Sequence, residues 1–304
     1  MNRQRRVVCW LGIAGFAAVC ISCASRIESP PPNKPASGWI VYSVADSGSL
    51  WNVRLDGSGA RCLGVTGISP SWNPSASEVS YFLDAAMPGD PYHSYLLDQT
   101  GAARPFLTAA FCSPIEWRPD GREVIADGQI YTAAGDRVAF AVASPQVVAG
   151  DTVFFGQLYQ WAGDTLQALM TGFEHAPGSR PASSNPYDYY LVNVHGGTIT
   201  ARLSHGHYTM GSVRGQLAGV LSPDRRQLMT PTGSGIVILN TVTQHETWLT
   251  QQQATWARWG SDSKTVVFID GGFQLCRASL DSVGVTRTVT SRRVRTMSAD
   301  IHLD

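Results

Sequence analysis

From residue 39 onward the apolar positions fall in short runs bounded by Gly, Pro, Asp, Asn or Ser: "WIVYS", "EVSYF", "EVIA", "TVFF", "DYYLV", "RQLM" and "TVVFI". None of the chain sustains the spacing of about 3.6 residues that marks an amphipathic helix, so strands are predicted throughout. Each run is followed by a second one that breaks at a polar turn. Examples are "LWNVRLDGSGARCL", "QIYTAAGDRVAF" and "QLYQWAGDTLQAL", and Asp56-Gly57 and Gly135-Asp136 are turn dipeptides of hairpin type. The final "MSADIHLD" alternates, with Met297, Ala299, Ile301 and Leu303 against Ser298, Asp300 and His302. That period of two predicts a half-buried strand.

The runs recur with a shared punctuation. "SWNPSAS" places Pro74, "EWRPDGR" places Pro119-Asp120-Gly121, "LSPDRRQ" places Pro223-Asp224, and "RWGSDSK" places Ser261-Asp262 in the same slot. Two fainter copies turn near Ala149 and at Pro186. Trp72, Trp117 and Trp259 stand two residues before the turn position, where one aromatic per unit would fill the gap between neighbouring sheets. A sheet module of about 40 residues repeated in this way predicts a β-propeller. Counting hairpins and turn-strand pairs leads to seven four-stranded blades, with the C-terminal strand closing the ring beside "WIVYS". Six is the alternative, if the two faint copies share a blade.

These phrases resemble the TolB-type propeller repeat, over nearly all of residues 38–304; the copies at Trp117 and at Ser222 are the sharpest. The resemblance implies a closed ring whose faces meet an envelope partner. It does not extend to the α/β domain that precedes the propeller in that family, so contacts made through that domain are not carried over.

The amino terminus changes the picture. Arg3, Arg5 and Arg6 precede the apolar run Val7–Ile21, which is short for a membrane span and fits a secretory signal. "ISC" then resembles a lipobox, with Cys20 where Leu is usual, and makes Cys23 the expected lipidated residue. Plain cleavage around Ser22–Ala24 is the competing reading. The expected organisation is a signal peptide over 1–22, a lipidated cysteine and Pro-rich tether over 23–37, and the propeller over 38–304. Pro30-Pro31-Pro32 would make the tether stiff. The predicted address is the cell envelope, on the periplasmic side of the outer membrane where there are two membranes.

Composition narrows the chemistry. Lys plus Arg equals Asp plus Glu at 23 each, and removing residues 1–22 takes away three arginines and no acid. The slight acidic excess excludes a nucleic-acid partner. Charged residues are 15% and there are 30 Gly and 17 Pro, which suits tight turns rather than long exposed helices. Ser261-Asp262-Ser263-Lys264 has the S-x-x-K spacing of acyl-enzymes but occupies the turn slot and precedes a strand, so it reads as a turn. The turn residues Pro74, Pro119, Asp120, Gly121, Pro186, Pro223, Asp224 and Asp262 are assigned to structure, their acids bonding their own backbone. His205-Gly206-His207 with His195 is the one arrangement that could chelate a metal, as in a polysaccharide lyase or hydrolase. A polar blade loop explains the same residues. The expected function is non-catalytic: a membrane-tethered propeller, without a cofactor, that binds or scaffolds an envelope protein or glycan.

Overall fold

The computed structural model describes residues 38–83, 90–109, 114–163, 166–175, 187–205 and 220–302. Cys23, Pro186 and His207 lie outside them. The described residues are all-β apart from one 3-10 turn at Leu280–Ser282, and their small sheets have a propeller-like arrangement.

The strands follow chain order. β4 (Ile68–Trp72), β5 (Glu78–Phe82), β6 (Tyr92–Asp98) and β7 (Ala103–Ala109) make one four-stranded antiparallel sheet. β8 (Glu116–Trp117), β9 (Glu123–Ala126), β10 (Gln129–Thr132) and β11 (Arg137–Val138) make the next. A five-stranded sheet holds β12 (Gln146–Val148), β13 (Asp151–Trp161), β14 (Gln167–Phe173), β15 (Tyr187–Asn193) and β16 (Thr198–Arg202). β17 (Gln227–Thr232), β18 (Gly235–Asn240) and β19 (Glu246–Thr250) form a three-stranded sheet, to which the Leu221–Leu228 bridge adds an inner edge. The seven-stranded sheet runs β20 (Ala254–Trp259), β21 (Thr265–Asp270), β22 (Gln274–Ser279), β23 (Thr286–His302), β1 (Trp39–Val44), β2 (Ser49–Arg54), β3 (Arg61–Thr66). It is two four-stranded halves that share β23.

β23 is the closing strand expected from the alternating C-terminal pattern. Its first half pairs with β22, with Arg277 opposite Arg287, and its second half pairs with β1, with Ile40 opposite Ile301 and Tyr42 opposite Ala299. One continuous strand therefore belongs to both ends of the chain. Strands of successive units then pack in a cycle: β23 on β4, β4 on β8, β8 on β13, β17 on β20, and β20 back on β23. The side-chain amide of Gln160 on β13 completes it, donating to the Leu221 carbonyl at 2.7 Å and accepting from the Leu221 amide at 2.9 Å.

The core lies between the sheets. Ile125 and Ile130 of one sheet pack with Val153, Trp161, Met170 and Tyr190 of the next. The other face of that sheet buries Leu169, Tyr187, Tyr189 and Leu191 against Val220, Leu221, Leu228 and Leu239. A sheet covered on both faces needs continuous apolar strands rather than alternating ones. That explains runs such as "DYYLV", in which buried Leu191 and Val192 contribute about 1.5–3 kcal/mol each.

Four of the predicted turns share one hydrogen-bond pattern. The amide of Asn73, Arg118, Ser222 or Gly260 donates to the carbonyl five residues on. Three residues after each, Ala76, Gly121, Arg225 and Ser263 have φ of 53°, 73°, 63° and 56°, and donate back to the first residue of the turn. Gly121 is the glycine that this left-handed position favours; the other three adopt it at some strain. The two faint copies differ. Ala149 and Gly150, with φ of 53° and 97°, are a two-residue hairpin turn between β12 and β13. The equivalent of the repeated turn comes later, at Trp161: the Ala162 amide donates to Gln167 O just as that of Arg118 does to Glu123 O.

The strands expected after Ala149 and after Pro186 are thus β13 and β15, which belong to one sheet. A count of seven separate units is not found among the described residues, because this segment was read as two units and forms one.

Deleting Ala299–Asp304 removes the strand that β1 pairs with. The expected outcome is unfolding at clearly lower urea and self-association through the exposed β1 edge, measured by denaturation and light scattering.

Candidate functional site

Each first strand carries one residue immediately before the aromatic slot. Ser71, Glu116, Gln160, Val220, Arg258 and Asp300 precede Trp72, Trp117, Trp161, Leu221, Trp259 and Ile301. The slot residues bind backwards: the indole N–H of Trp161 donates to Glu116 O at 3.1 Å, that of Trp259 to Val220 O at 3.0 Å, and that of Trp117 to Ser80 Oγ at 3.2 Å. The preceding residues meet in the middle. The Arg258 guanidinium lies 2.6 Å from Glu116 Oε1 and 3.4 Å from Asp300 Oδ1. Asp300 Oδ2 also accepts from Ser71 Oγ and from the Trp72 amide, both at 2.9 Å. β20 and β8 are three steps apart in the cycle, so the Arg258–Glu116 pair spans the ring from opposite sides.

These three charges are buried, each less than a tenth exposed. Burial pushes the Glu116 carboxyl above its ordinary range, opposed by Arg258 and assisted by Asp300. Burial works against the Arg258 charge, but Glu116 and Asp300 outweigh it and the guanidinium is held up. Both effects follow from charges in a medium that screens them poorly. The arrangement ties units together. Within the sheet of β12–β16, Arg202 on β16 pairs with Asp188 on β15 and, at 3.0 Å, with Asp151 on β13.

Three of the turn acids, Asp120, Asp224 and Asp262, are exposed and bond the backbone of their own turns. Asp120 Oδ1 accepts from the Arg122 amide, Asp224 Oδ1 from that of Arg226, and Asp262 Oδ1 from those of Lys264 and Thr265. Pro74, Pro119 and Pro223 occupy the second position of their turns. Burial would raise the Asp262 carboxyl, but hydrogen bonds from Thr265 and Lys264 outweigh it and lower it. Asp120 is lowered in the same way, with Arg118 the chief opponent of burial.

The candidate metal ligands are not brought together where they are described. His195 lies in the β15–β16 turn and His205 beyond the other end of β16, both exposed. Cys276 is a buried thiol pushed up to about 11 by burial and by Asp270.

Glu116, Arg258 and Asp300 were not singled out in the sequence. A signal existed: Glu116 and Arg258 each directly precede the slot tryptophan in aligned copies, with opposite sign. Trp161 was also missed as a slot residue, although Asp164 follows it at the spacing of Asp120 from Trp117.

No protein-family model and no curated protein matches the chain. Among solved structures it is similar to "putative TolB from Agrobacterium tumefaciens", at 14% identity over 85% of this chain and 90% of that one, with a TM-score of 0.47.

Replacing Glu116 by Gln or Arg258 by Met leaves a buried charge short of a partner, at an expected cost of about 3–5 kcal/mol each. E116Q/R258M together should lose less than the sum, as read from a double-mutant cycle in urea.

The turn acids predict a pH effect. Asp262 titrates below its ordinary 3.8 in the folded state, so its stabilisation is present above that pH and is lost as pH falls below it. Glu116, shifted upward, contributes with the opposite sign. The stability gap between the protein and D262N should therefore be widest near neutral pH and close in acid, followed by thermal melting across pH.

Proposed function

We propose that this chain is an exported, six-bladed propeller, lipid-anchored through Cys23, that binds a protein or glycan of the cell envelope without catalysing a reaction on it. One observation carries the reading: the buried acids and bases near the axis hold blades together. Glu116, Arg258 and Asp300 link first strands across the ring, and Gln160 clamps Leu221. Such a frame is rigid, and its rim is the surface left to meet a ligand. Six blades follow from dividing the seven-stranded sheet at β23 and counting the sheet of β12–β16 once.

The envelope address rests on the amino-terminal pattern of three arginines, an apolar run and a small residue before Cys23. The Pro-rich tether would hold the ring clear of the headgroups. The repeat phrases that resemble TolB-type propellers agree with that address, though a fold of this kind hosts many functions. A metal-dependent lyase gains no support from the geometry of His195 and His205, which stand at opposite ends of β16.

Two measurements on cells test the reading. Cys23→Ser should leave the chain unlipidated and move it out of the membrane fraction. Crosslinking followed by mass spectrometry should capture an envelope component on the wild-type chain. Retention of C23S in the membrane, or stoichiometric metal removed by H205A/H207A, would overturn it.

A further inference from the structure

Strands β1–β3 face the sheet of β4–β7 across one gap. Val41, Leu50, Val79, Tyr81 and Leu97 form a buried cluster within it. At the end of the gap where the turns after β4 and β6 lie, the packing leaves a cavity of about 60 Å³. Trp39, Asn52, Arg61 and Leu63 line it from one side, and Trp72, Val79 and Leu97 from the other. The ladders agree with this placement. Arg61 stands opposite Asn52, and Trp72, Val79 and Leu97 stand abreast on β4, β5 and β6. Val79 and Leu97 belong to the buried cluster, so the cavity ends against it.

Four buried polar atoms of the lining have no hydrogen-bond partner among the described residues: Nε1 of Trp39, Nε1 of Trp72, Nε of Arg61 and Oδ1 of Asn52. Trp39 and Asn52 are each less than a tenth exposed. Buried polar groups are almost always paired, so four such atoms around one cavity call for an explanation. Trp72 is also the exception in its slot. The indole N–H groups of Trp117, Trp161 and Trp259 each donate to the unit before, and that of Trp72 does not. Other polar neighbours are engaged elsewhere. Glu78 Oε1 accepts from Arg104 at 2.9 Å, Asp98 Oδ1 from the amides of Thr100 and Ala102, and Ser77 Oγ from Asn73. The Trp39 ring is itself held by Arg54, whose guanidinium carbon lies 5.5 Å from the ring centre.

Three unmatched donors and one unmatched acceptor beside an apolar wall of Leu63, Val79 and Leu97 define the group that fits. Water needs two to four polar partners, so it answers the polar side and not the wall. A carboxylate or phosphate would set an oxyanion against Asn52 Oδ1 and close to Glu78 and Asp98, which also line the cavity. A hydroxyl answers the polar atoms and leaves the wall bare. A secondary amide that ends in a methyl answers both. A peptide-backbone amide carries chain on either side and needs a groove open at two ends, whereas this cavity ends in the core.

We propose that this cavity binds the acetamido group of an N-acetylated amino sugar. Its oxygen accepts from the indole N–H groups of Trp39 and Trp72, its N–H donates to Asn52 Oδ1, and its methyl packs on Leu63, Val79 and Leu97. Arg61, half-buried on β3, donates to a hydroxyl of the same sugar ring. At about one water-sized sphere of 10–15 Å³ per atom, the volume suits the four heavy atoms of an acetamido group. This assignment rests on the non-catalytic binding reading above and gives it a class of glycan.

The test titrates the full-length chain in detergent with N,N′-diacetylchitobiose and with cellobiose, which has hydroxyls in place of the acetamido groups. Calorimetry reads affinity, and saturation transfer reads contact at the acetyl methyl. Diacetylchitobiose should bind, and cellobiose at least tenfold more weakly. W72F keeps an aromatic ring and removes an N–H that has no partner in the fold, so it should fold and weaken binding about tenfold, the loss of one hydrogen bond. N52L should weaken it to a similar degree. W259F makes the same change where the indole bonds Val220 O, and should lower the melting temperature with affinity unchanged. No binding of diacetylchitobiose, equal binding of cellobiose, tighter binding of an N-acetylated peptide amide, or unchanged affinity in folded W72F and N52L overturns the assignment. The comparison of the two sugars on the wild type decides it even where a variant fails to fold. Each of these failures leaves the broader reading standing, whereas that reading falls with the membrane and crosslinking tests.

Discussion

Everything in this fold depends on β23 pairing with β1. A row of sheets joined only in sequence order would end in two unpaired edges and two uncovered faces. By running from β22 to β1, one strand supplies the inner edge that the first sheet lacks and draws the last sheet against it. The pairing joins Trp39 to His302, almost the whole described chain apart. Closing so long a loop costs entropy that grows only slowly with length. The return is a cycle in which every sheet buries both faces, and that is why the strands can be apolar along their whole length.

Closure also creates the middle of the ring, and the middle has its own rules. Inner strands converge there, so side chains from distant parts of the sequence meet with little water. Arg258, Glu116 and Asp300 meet in that space, joined by the hydroxyl of Ser71 and the amide of Trp72. Such a cluster adds modest net stability, because desolvation offsets much of the attraction. Its stronger effect is on register. A strand slipped by one residue would turn Arg258 or Glu116 into an apolar inter-sheet layer. The indole N–H groups of Trp117, Trp161 and Trp259 act in the same sense, each locking one first strand to the unit before it.

Among the described residues, the repeated turns carry their acids on the surface. There the turn acids Asp120, Asp224 and Asp262 satisfy their own backbones.

The local features were legible in the sequence because they are set by neighbours in the chain. Short apolar runs between turn residues mark strands. A Pro-Asp-Gly turn marks itself, since Asp120 bonds the backbone two residues on and Gly121 adopts the left-handed conformation. The alternation of Ala299, Asp300 and Ile301 announced a half-buried strand and its place beside β1. Blade count and axis were not legible, because both are set by contacts between residues far apart. Ala149 looked like a blade turn, yet only sheet pairing shows β13 and β15 sharing one sheet, with the repeated turn falling after Trp161. Asp300 read as the polar side of a half-buried closing strand. Tertiary structure alone turned that side inward, because closing the ring carries it to Arg258, forty-two residues earlier in the chain and on the other side of the last sheet.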